Sequence, residues 1–322
     1  MTINYKKILS SRKLLLNLAK AAIAIGLIIY LFNHLNFNDL YFTLNKSNKI
    51  FILFSLMLLP LNLFLQYKKW ELTCINFLNF SDKGKILLSL FYGFSAGIFT
   101  PVRVGEFFAR AIPIKESPVL QVAASSFADK LFTLIIVAFC GALASSLYLL
   151  NFNNIPYYII LSLIIIIISL FAFVIYLFVT ESFWDNILIG KLKEKRIFAS
   201  YREKFSLLKL TGRHYSLRML LLSFSFYACY ILQFSLLLAA FSGKYKAITY
   251  IWISNLIMFS KTIIPISFGE LGVREGASVY FIQKFGEDAA IGFNASILLF
   301  LINVLVPSVI GIFLLLKKNN DK

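Results

Sequence analysis

Long runs of apolar residues without a charged side chain recur along this sequence; 157–179 is one, with the unbroken isoleucines Ile164 to Ile168 at its centre. A bilayer core about 30 Å thick takes about 20 such residues per helical crossing. In lipid every backbone polar group must be satisfied internally, which leaves helices or closed barrels. The weak ten-residue alternation of an outer-membrane barrel is missing. The chain is therefore expected to be an all-α polytopic membrane protein. With 59% hydrophobic and 15% charged residues and a mean hydropathy of +0.80, it carries too much apolar surface for a soluble globule of 322 residues.

Six segments read as full spans: 14–33, 50–66, 119–150, 157–179, 218–241 and 289–316. Lys6, Lys7, Arg12 and Lys13 precede the first, and no small-residue cleavage site follows it, so it is expected to stay as an anchor. A short amphipathic helix is expected on the membrane surface around 68–80. Two further apolar stretches, 86–100 and 247–264, lead into prolines, and the first, with about 15 residues, is too short for a comfortable crossing. At the first, the dipeptide Thr100-Pro101 disfavours helix at Thr100.

Both short stretches run into the same pattern. Pro101-Val-Arg103-Val-Gly105-Glu106-Phe-Phe-Ala-Arg110 and Pro265-Ile-Ser-Phe-Gly269-Glu270-Leu-Gly-Val-Arg274 each read P-x-x-x-G-E-x-x-x-R, separated by about half the chain. The spacing suggests a duplicated unit. Two unrelated Pro/Gly turns in a helical chain would be the plainer explanation.

Loop charges set the expected sidedness. The N-terminus, the loop 67–85, the loop 181–217 and the tail with Lys317, Lys318 and Lys322 are rich in Lys and Arg and should be cytoplasmic. The uncharged loop 151–156 should be outside. Residues 86–117 then enter and leave by the cytoplasmic face, and 247–283 enter and leave by the opposite one. The expectation is one membrane domain over 1–322. Its pseudo-repeat halves, 14–150 and 157–316, are joined by 151–156, with the basic cytoplasmic loop 181–217 inside the second. Each half holds three spans and one re-entrant hairpin, and an odd span count inverts the second copy. Inverted repeats with broken helices build transporters whose substrate sits at the midplane.

Charges near the centre of a bilayer cost about 2.5–3.5 kcal/mol each on insertion scales, so those kept there are candidates for function. Arg103, Glu106, Arg110, Glu270, Arg274 and Glu275 form the expected substrate-binding set. Pro101, Gly105, Pro265 and Gly269 are the expected structural breaks. Arg presents a planar fork suited to phosphate, and broken helices expose N–H groups that favour anions. The glutamates would orient the arginines. The competing view pairs Glu106 with Arg110 and Glu270 with Arg274 as i,i+4 neighbours on one helix. Asp129, Lys130 and Lys261 are supporting candidates, though a solvated position for the first two and snorkelling for Lys261 fit equally.

The net charge of +17 lies in loops beside spans, which suits topology and anionic lipid headgroups, not nucleic acid. Cys74, Cys140 and Cys229 are isolated and read as packing residues, and no metal site or cofactor is implied. No P-loop, nucleophile elbow, H-E-x-x-H or dinucleotide fingerprint is present, which points away from an enzyme.

The stretches Phe99-Thr-Pro-Val-Arg-Val-Gly-Glu106, Ala128-Asp-Lys-Leu-Phe132 and Pro265-Ile-Ser-Phe-Gly-Glu-Leu-Gly-Val-Arg-Glu-Gly276 resemble the transmembrane region of lysylphosphatidylglycerol synthases and their stand-alone flippase-like relatives. Asp129-Lys130 stands where that family often has Glu-Arg, and Glu270 where a second Gly is usual. The family's soluble lysyl-transferring domain is not among these residues. The resemblance implies movement or presentation of an anionic phospholipid, an aminoacylated lipid or a polyprenyl-phosphate-linked glycolipid in a bacterial-type plasma (inner) membrane, with both termini cytoplasmic. Two other readings stand beside it. One is an intramembrane transferase with Glu106 or Glu270 as general base. The other is a scaffold that recruits a cytoplasmic or membrane glycosyltransferase through 181–217.

Overall fold

The structure is a computed structural model that describes residues 37–100, 103–153, 155–179, 213–264, 267–268 and 271–320. The expected span 14–33, the loop residues 181–212, and Pro101, Pro265, Gly269 and Glu270 lie outside them.

The described chain is helical apart from one two-residue ladder. In order it forms α1 (Phe37–Asn45), α2 (Lys49–Leu78), α3 (Lys83–Ile98), α4 (Val104–Ala109), α5 (Val119–Phe152), α6 (Tyr157–Val179), α7 (Arg213–Ser242) and α8 (Ala247–Ile263). The strands β1 (Ser267–Phe268) and β2 (Leu271–Gly272) follow, then α9 (Val273–Lys284), α10 (Ala289–Phe300), a π turn (Leu301–Leu305) and α11 (Val306–Asn320). Among the described residues, five helical stretches are long and apolar enough to cross a membrane: Lys49–Leu78, Val119–Phe152, Tyr157–Phe178, Arg213–Ser242 and Ala289–Lys317. The chain is a multi-pass all-α membrane protein. Helices α3 and α8, with 16 and 17 residues, fall short of the usual crossing length of about 20.

Local chemistry sets the boundaries. Asn48 caps α2 by accepting the Ile50 N–H at 3.0 Å, and Asp82 caps α3 by accepting that of Lys85 at 3.0 Å. Asp288 caps α10 through the Ala290 N–H at 2.7 Å. Asn79 ends α2 with a left-handed backbone, φ 49°. Helix α3 stops at Ile98, before Thr100-Pro101, as the proline rule requires.

Two expectations are corrected here. No separate surface helix spans 68–80, and 67–78 is not loop. α2 runs unbroken through both lysines and carries Pro60 inside it, and the loop is only Asn79 to Asp82. The lysines misled because each is neutralised within the fold: Lys68 pairs with Glu71 at 2.7 Å, and Lys69 with Asp129 at 3.2 Å. The expected span 289–316 stands, as Ala289–Lys317, and it widens into a π turn at 301–305. Pro307 follows two residues after it. It has no N–H to give the carbonyl of Asn303 and its ring crowds that carbonyl, so the ladder widens and the Val306 N–H reaches back to Leu301 O.

The described residues group into two compact units. One takes in those up to Leu59, those of Phe91–Ala109 and those from Leu232 onward. Within it α9 lies closely against α10: Ser278 Oγ donates to Gly292 O at 2.7 Å, and a Cβ on Gly292 would come within 2.6 Å of Ser278 O. The end of α3 locks to α11 reciprocally, Ser95 Oγ donating to Ser308 O at 2.9 Å and Ser308 Oγ to Phe94 O at 3.0 Å. Small and hydroxylated contact residues are what helix pairs use in lipid, where burial of apolar surface gives no advantage. The other unit takes in Pro60–Leu90 and Arg110–Ile231. In it Phe139 stacks on Phe171 at 3.8 Å, which fastens α5 to α6, and Phe132 sits between Phe178 and Tyr215.

Candidate functional site

Among the described residues, three clusters of buried charge contain Arg103, Glu106, Arg110, Asp129, Arg274 and Glu275 of the expected residues. In the first, the chain leaves α3, turns at Thr100 and re-enters helix at α4. Thr100 Oγ1 accepts the Gly105 N–H at 2.9 Å and donates back to the carbonyls of Ala96 and Gly97. Arg103 holds the corner with a φ of 56°. Its Nε stands 3.1 Å from Glu106 Oε2, and its guanidinium lies 5.7 Å from the Phe94 ring centre. The Glu106 side chain is 2% exposed and that of Arg103 13%. α4 ends at Ala109, one residue before Arg110, so Glu106 and Arg110 do not share a continuous helix.

The second cluster forms around Arg110, in the other unit. Arg110 Nη1 lies 3.2 Å from Asp129 Oδ2, and Lys69 Nζ lies 3.2 Å from Oδ1 of the same carboxylate. Lys69 also donates to Asp129 O at 3.3 Å and to Thr133 Oγ1. The Arg110 guanidinium covers Trp70 at 4.5 Å from the ring centre, a cation–π contact in a dry setting. Trp70 Nε1 donates to Ser89 Oγ at 3.1 Å, and Ser89 Oγ donates to Arg110 O at 2.6 Å. Backbone, hydroxyl, indole and guanidinium thus close a ring that fixes Arg110. Asp129 is not solvated: Lys69, Arg110 and Asp129 are all at least nine-tenths buried.

The third cluster lies at the start of α9. Gly272 caps it with a φ of 107°, a conformation open to glycine, and its N–H donates to Glu275 Oε2 at 2.6 Å. The other oxygen of Glu275 accepts from Arg274 Nη2 at 2.7 Å and from Ser296 Oγ at 2.9 Å. Arg274 Nε also donates to Ser296 Oγ at 2.9 Å. Arg274, Glu275 and Ser296 are fully buried. This triad ties the tip of the second motif to α10.

Of the expected set, Arg103 meets Glu106, Arg110 meets Asp129, and Arg274 meets its chain neighbour Glu275. Lys130 and Lys261 are half-buried on α5 and α8. Gly105 allows a close approach, since a Cβ there would fall 2.7 Å from Ala96 O. Sequence reasoning missed Lys69, Trp70, Ser89, Thr133 and Ser296. Lys69 carried the one readable signal, a cation with an adjacent Trp inside an otherwise apolar register, and it was masked by its neighbour Lys68.

Among the described residues no group of His, Cys, Asp and Glu is placed to hold a metal ion. The model of the lysylphosphatidylglycerol synthase transmembrane region matches residues 17–311. No curated protein matches the chain.

Proposed function

We propose that this chain, which belongs to the lysylphosphatidylglycerol synthase transmembrane-region family, moves a lipid with a phosphate-bearing headgroup between the two leaflets. Membership makes it a membrane protein tied to lipid metabolism or transport.

One observation carries the finer reading: Arg110, 2% exposed, is held in place between Asp129 and Trp70 inside a strongly apolar protein. Apolar residues of similar volume would pack such a position at equal or lower free energy, so a retained, pre-positioned guanidinium suits recognition. Its fork matches phosphate. Anionic phospholipids, aminoacylated lipids and polyprenyl-phosphate-linked glycolipids all carry that group. In this reading Arg103, Arg110 and Arg274 serve the headgroup, while Glu106, Glu270 and Glu275 hold the guanidiniums between cycles. The two motif hairpins re-enter from opposite faces, the repeat halves 14–150 and 157–316 provide alternating access, and the termini are cytoplasmic in a bacterial-type plasma membrane.

The test is lipid translocation in proteoliposomes, read as protection of a fluorescent phosphatidylglycerol from a membrane-impermeant quencher. Arg110→Ala and Arg274→Ala should each abolish translocation while the purified protein keeps its helical spectrum. Wild-type rates in both would overturn the assignment.

A further inference from the structure

We infer that Lys69, Arg110, Trp70 and Thr133 form a lipid-phosphate site that the Asp129 carboxylate occupies when no lipid is bound, so that Asp129 competes with its own ligand. The inference rests on the lipid-phosphate reading and adds to it a second cation and an internal competitor.

The two cations are held by groups other than the carboxylate. Lys69 keeps the Asp129 main-chain carbonyl and Thr133 Oγ1 whether or not the carboxylate is there. Arg110 keeps the face of Trp70, and Ser89 fastens both that indole and the Arg110 carbonyl. Removing the carboxylate therefore leaves both donors aimed at one spot. They approach its two oxygens from different sides, Lys69 at Oδ1 and Arg110 at Oδ2, each at 3.2 Å. A phosphate presents an oxygen pair of similar span, which is why Arg takes both anions in the same fork geometry.

The fit of the carboxylate is also loose. Oδ1 of Asp129 is buried and ion-paired with Lys69, yet that contact lacks the geometry of a hydrogen bond. A buried charged acceptor short of full hydrogen bonding is costly, so the carboxylate is a weakly held occupant that another singly charged anion with two free oxygens can displace. A phosphodiester and a carboxylate each carry one negative charge, so the exchange leaves the charge around the two cations unchanged while the Asp129 side chain turns away.

The prediction runs against an ordinary structural role. If Asp129 only stabilised the cations, replacing it would weaken whatever binds there; if it competes, Asp129→Asn strengthens binding. Trp70 is the reporter, isolated by Trp184→Phe and Trp252→Phe, since its ring lies under the Arg110 guanidinium. The full chain in nonionic detergent is titrated with dioctanoyl phosphatidylglycerol, with dioctanoylglycerol lacking the phosphate, and with inorganic phosphate. Trp70 emission should respond to the phosphatidylglycerol and not to dioctanoylglycerol. Asp129→Asn should tighten binding about tenfold and Lys69→Gln weaken it about tenfold, the scale of one buried charge-assisted contact. Lys69→Arg should restore most of the affinity.

Unchanged or weaker binding in folded Asp129→Asn overturns the competition, and wild-type binding in Lys69→Gln overturns the site. If Asp129→Asn fails to fold, the two Lys69 variants decide: loss in Lys69→Gln with recovery in Lys69→Arg upholds the site. An equal response to inorganic phosphate overturns the lipid as its source. Correct binding without translocation would overturn the transport reading alone, and translocation without the Asp129→Asn gain would overturn this inference alone.

Discussion

Arg103 occupies a backbone region that costs a residue with a Cβ about 1–2 kcal/mol, and the residues around it show what holds it there. A Cβ at Gly97 would stand 3.0 Å from Arg103 Nε, the flexible end of a side chain that can shift. A Cβ at Gly105 would stand 2.7 Å from Ala96 O, which is backbone and cannot. Gly105→Ala should therefore cost about 1–3 kcal/mol, as overpacking does, and lower the melting temperature in detergent more than Gly97→Ala. Equal shifts would mean that the Thr100 corner is softer than it looks. Outside the spans, Lys85 donates to Glu116 at 2.8 Å; this bond holds the Glu116 carboxyl below its ordinary value and raises the Lys85 ammonium above its own. The contribution of Glu116 is complete above the ordinary carboxylate value and is lost as pH falls through its lowered one; that of Lys85 is complete below the ordinary lysine value and is lost as pH rises through its raised one. Glu116→Gln should flatten the acid side of a melting-temperature profile at low salt, and the difference should vanish at high salt, where exposed pairs are screened.

At the scale of elements, helix positions were readable because their causes are local. Asp82 and Asp288 cap, and Thr100-Pro101 ends α3. What sequence reasoning lost is non-local. Lys69 looked like a loop residue because its neutralising partner Asp129 lies far along the chain, and Arg110 looked like a helical partner of Glu106 because the end of α4 at Ala109 carries no strong signal. The π turn could have been suspected from Pro307 inside a span, yet the register shift shows only in three dimensions. It places Asn303 so that its Nδ2 donates to Gln233 Oε1 at 3.1 Å, while Gln233 Nε2 donates to Ser55 O at 3.0 Å. Pro307→Ala should let an ordinary i→i−4 bond form and rotate Asn303 off Gln233. Cross-linking of a cysteine pair at 233 and 303 should then fall in the Pro307→Ala background. Undiminished cross-linking would show that packing, not the proline, sets the turn.

For the whole molecule the decisive quantity is sidedness, because the same helices serve a midplane site or two unrelated surface turns depending on where their connections emerge. The short helices α3 and α8 each run into a motif whose arginine is buried against a carboxylate, Arg110 with Asp129 and Arg274 with Glu275. Buried ion pairs of this kind are costly at either depth, but only a deep pair is close to a headgroup in transit. Positive-inside counting puts residues 115 and 200 on the cytoplasmic face and 153, 244 and 286 outside. With Cys74, Cys140 and Cys229 replaced, single cysteines at Lys115, Ser200, Asn153, Lys244 and Gly286 should label in that pattern with a membrane-impermeant thiol reagent. Each position has a separate meaning. Labelling of 115 from outside makes 86–117 an ordinary crossing and brings the Arg103 corner toward the surface. Labelling of 244 from inside does the same for 247–283 and Arg274. Either result removes the opposed pair of hairpins, and with it the inverted repeat. The Lys69, Arg110 and Asp129 cluster is set by contacts within its own unit, so the Trp70 titration would still read it correctly, as a headgroup site entered from one leaflet.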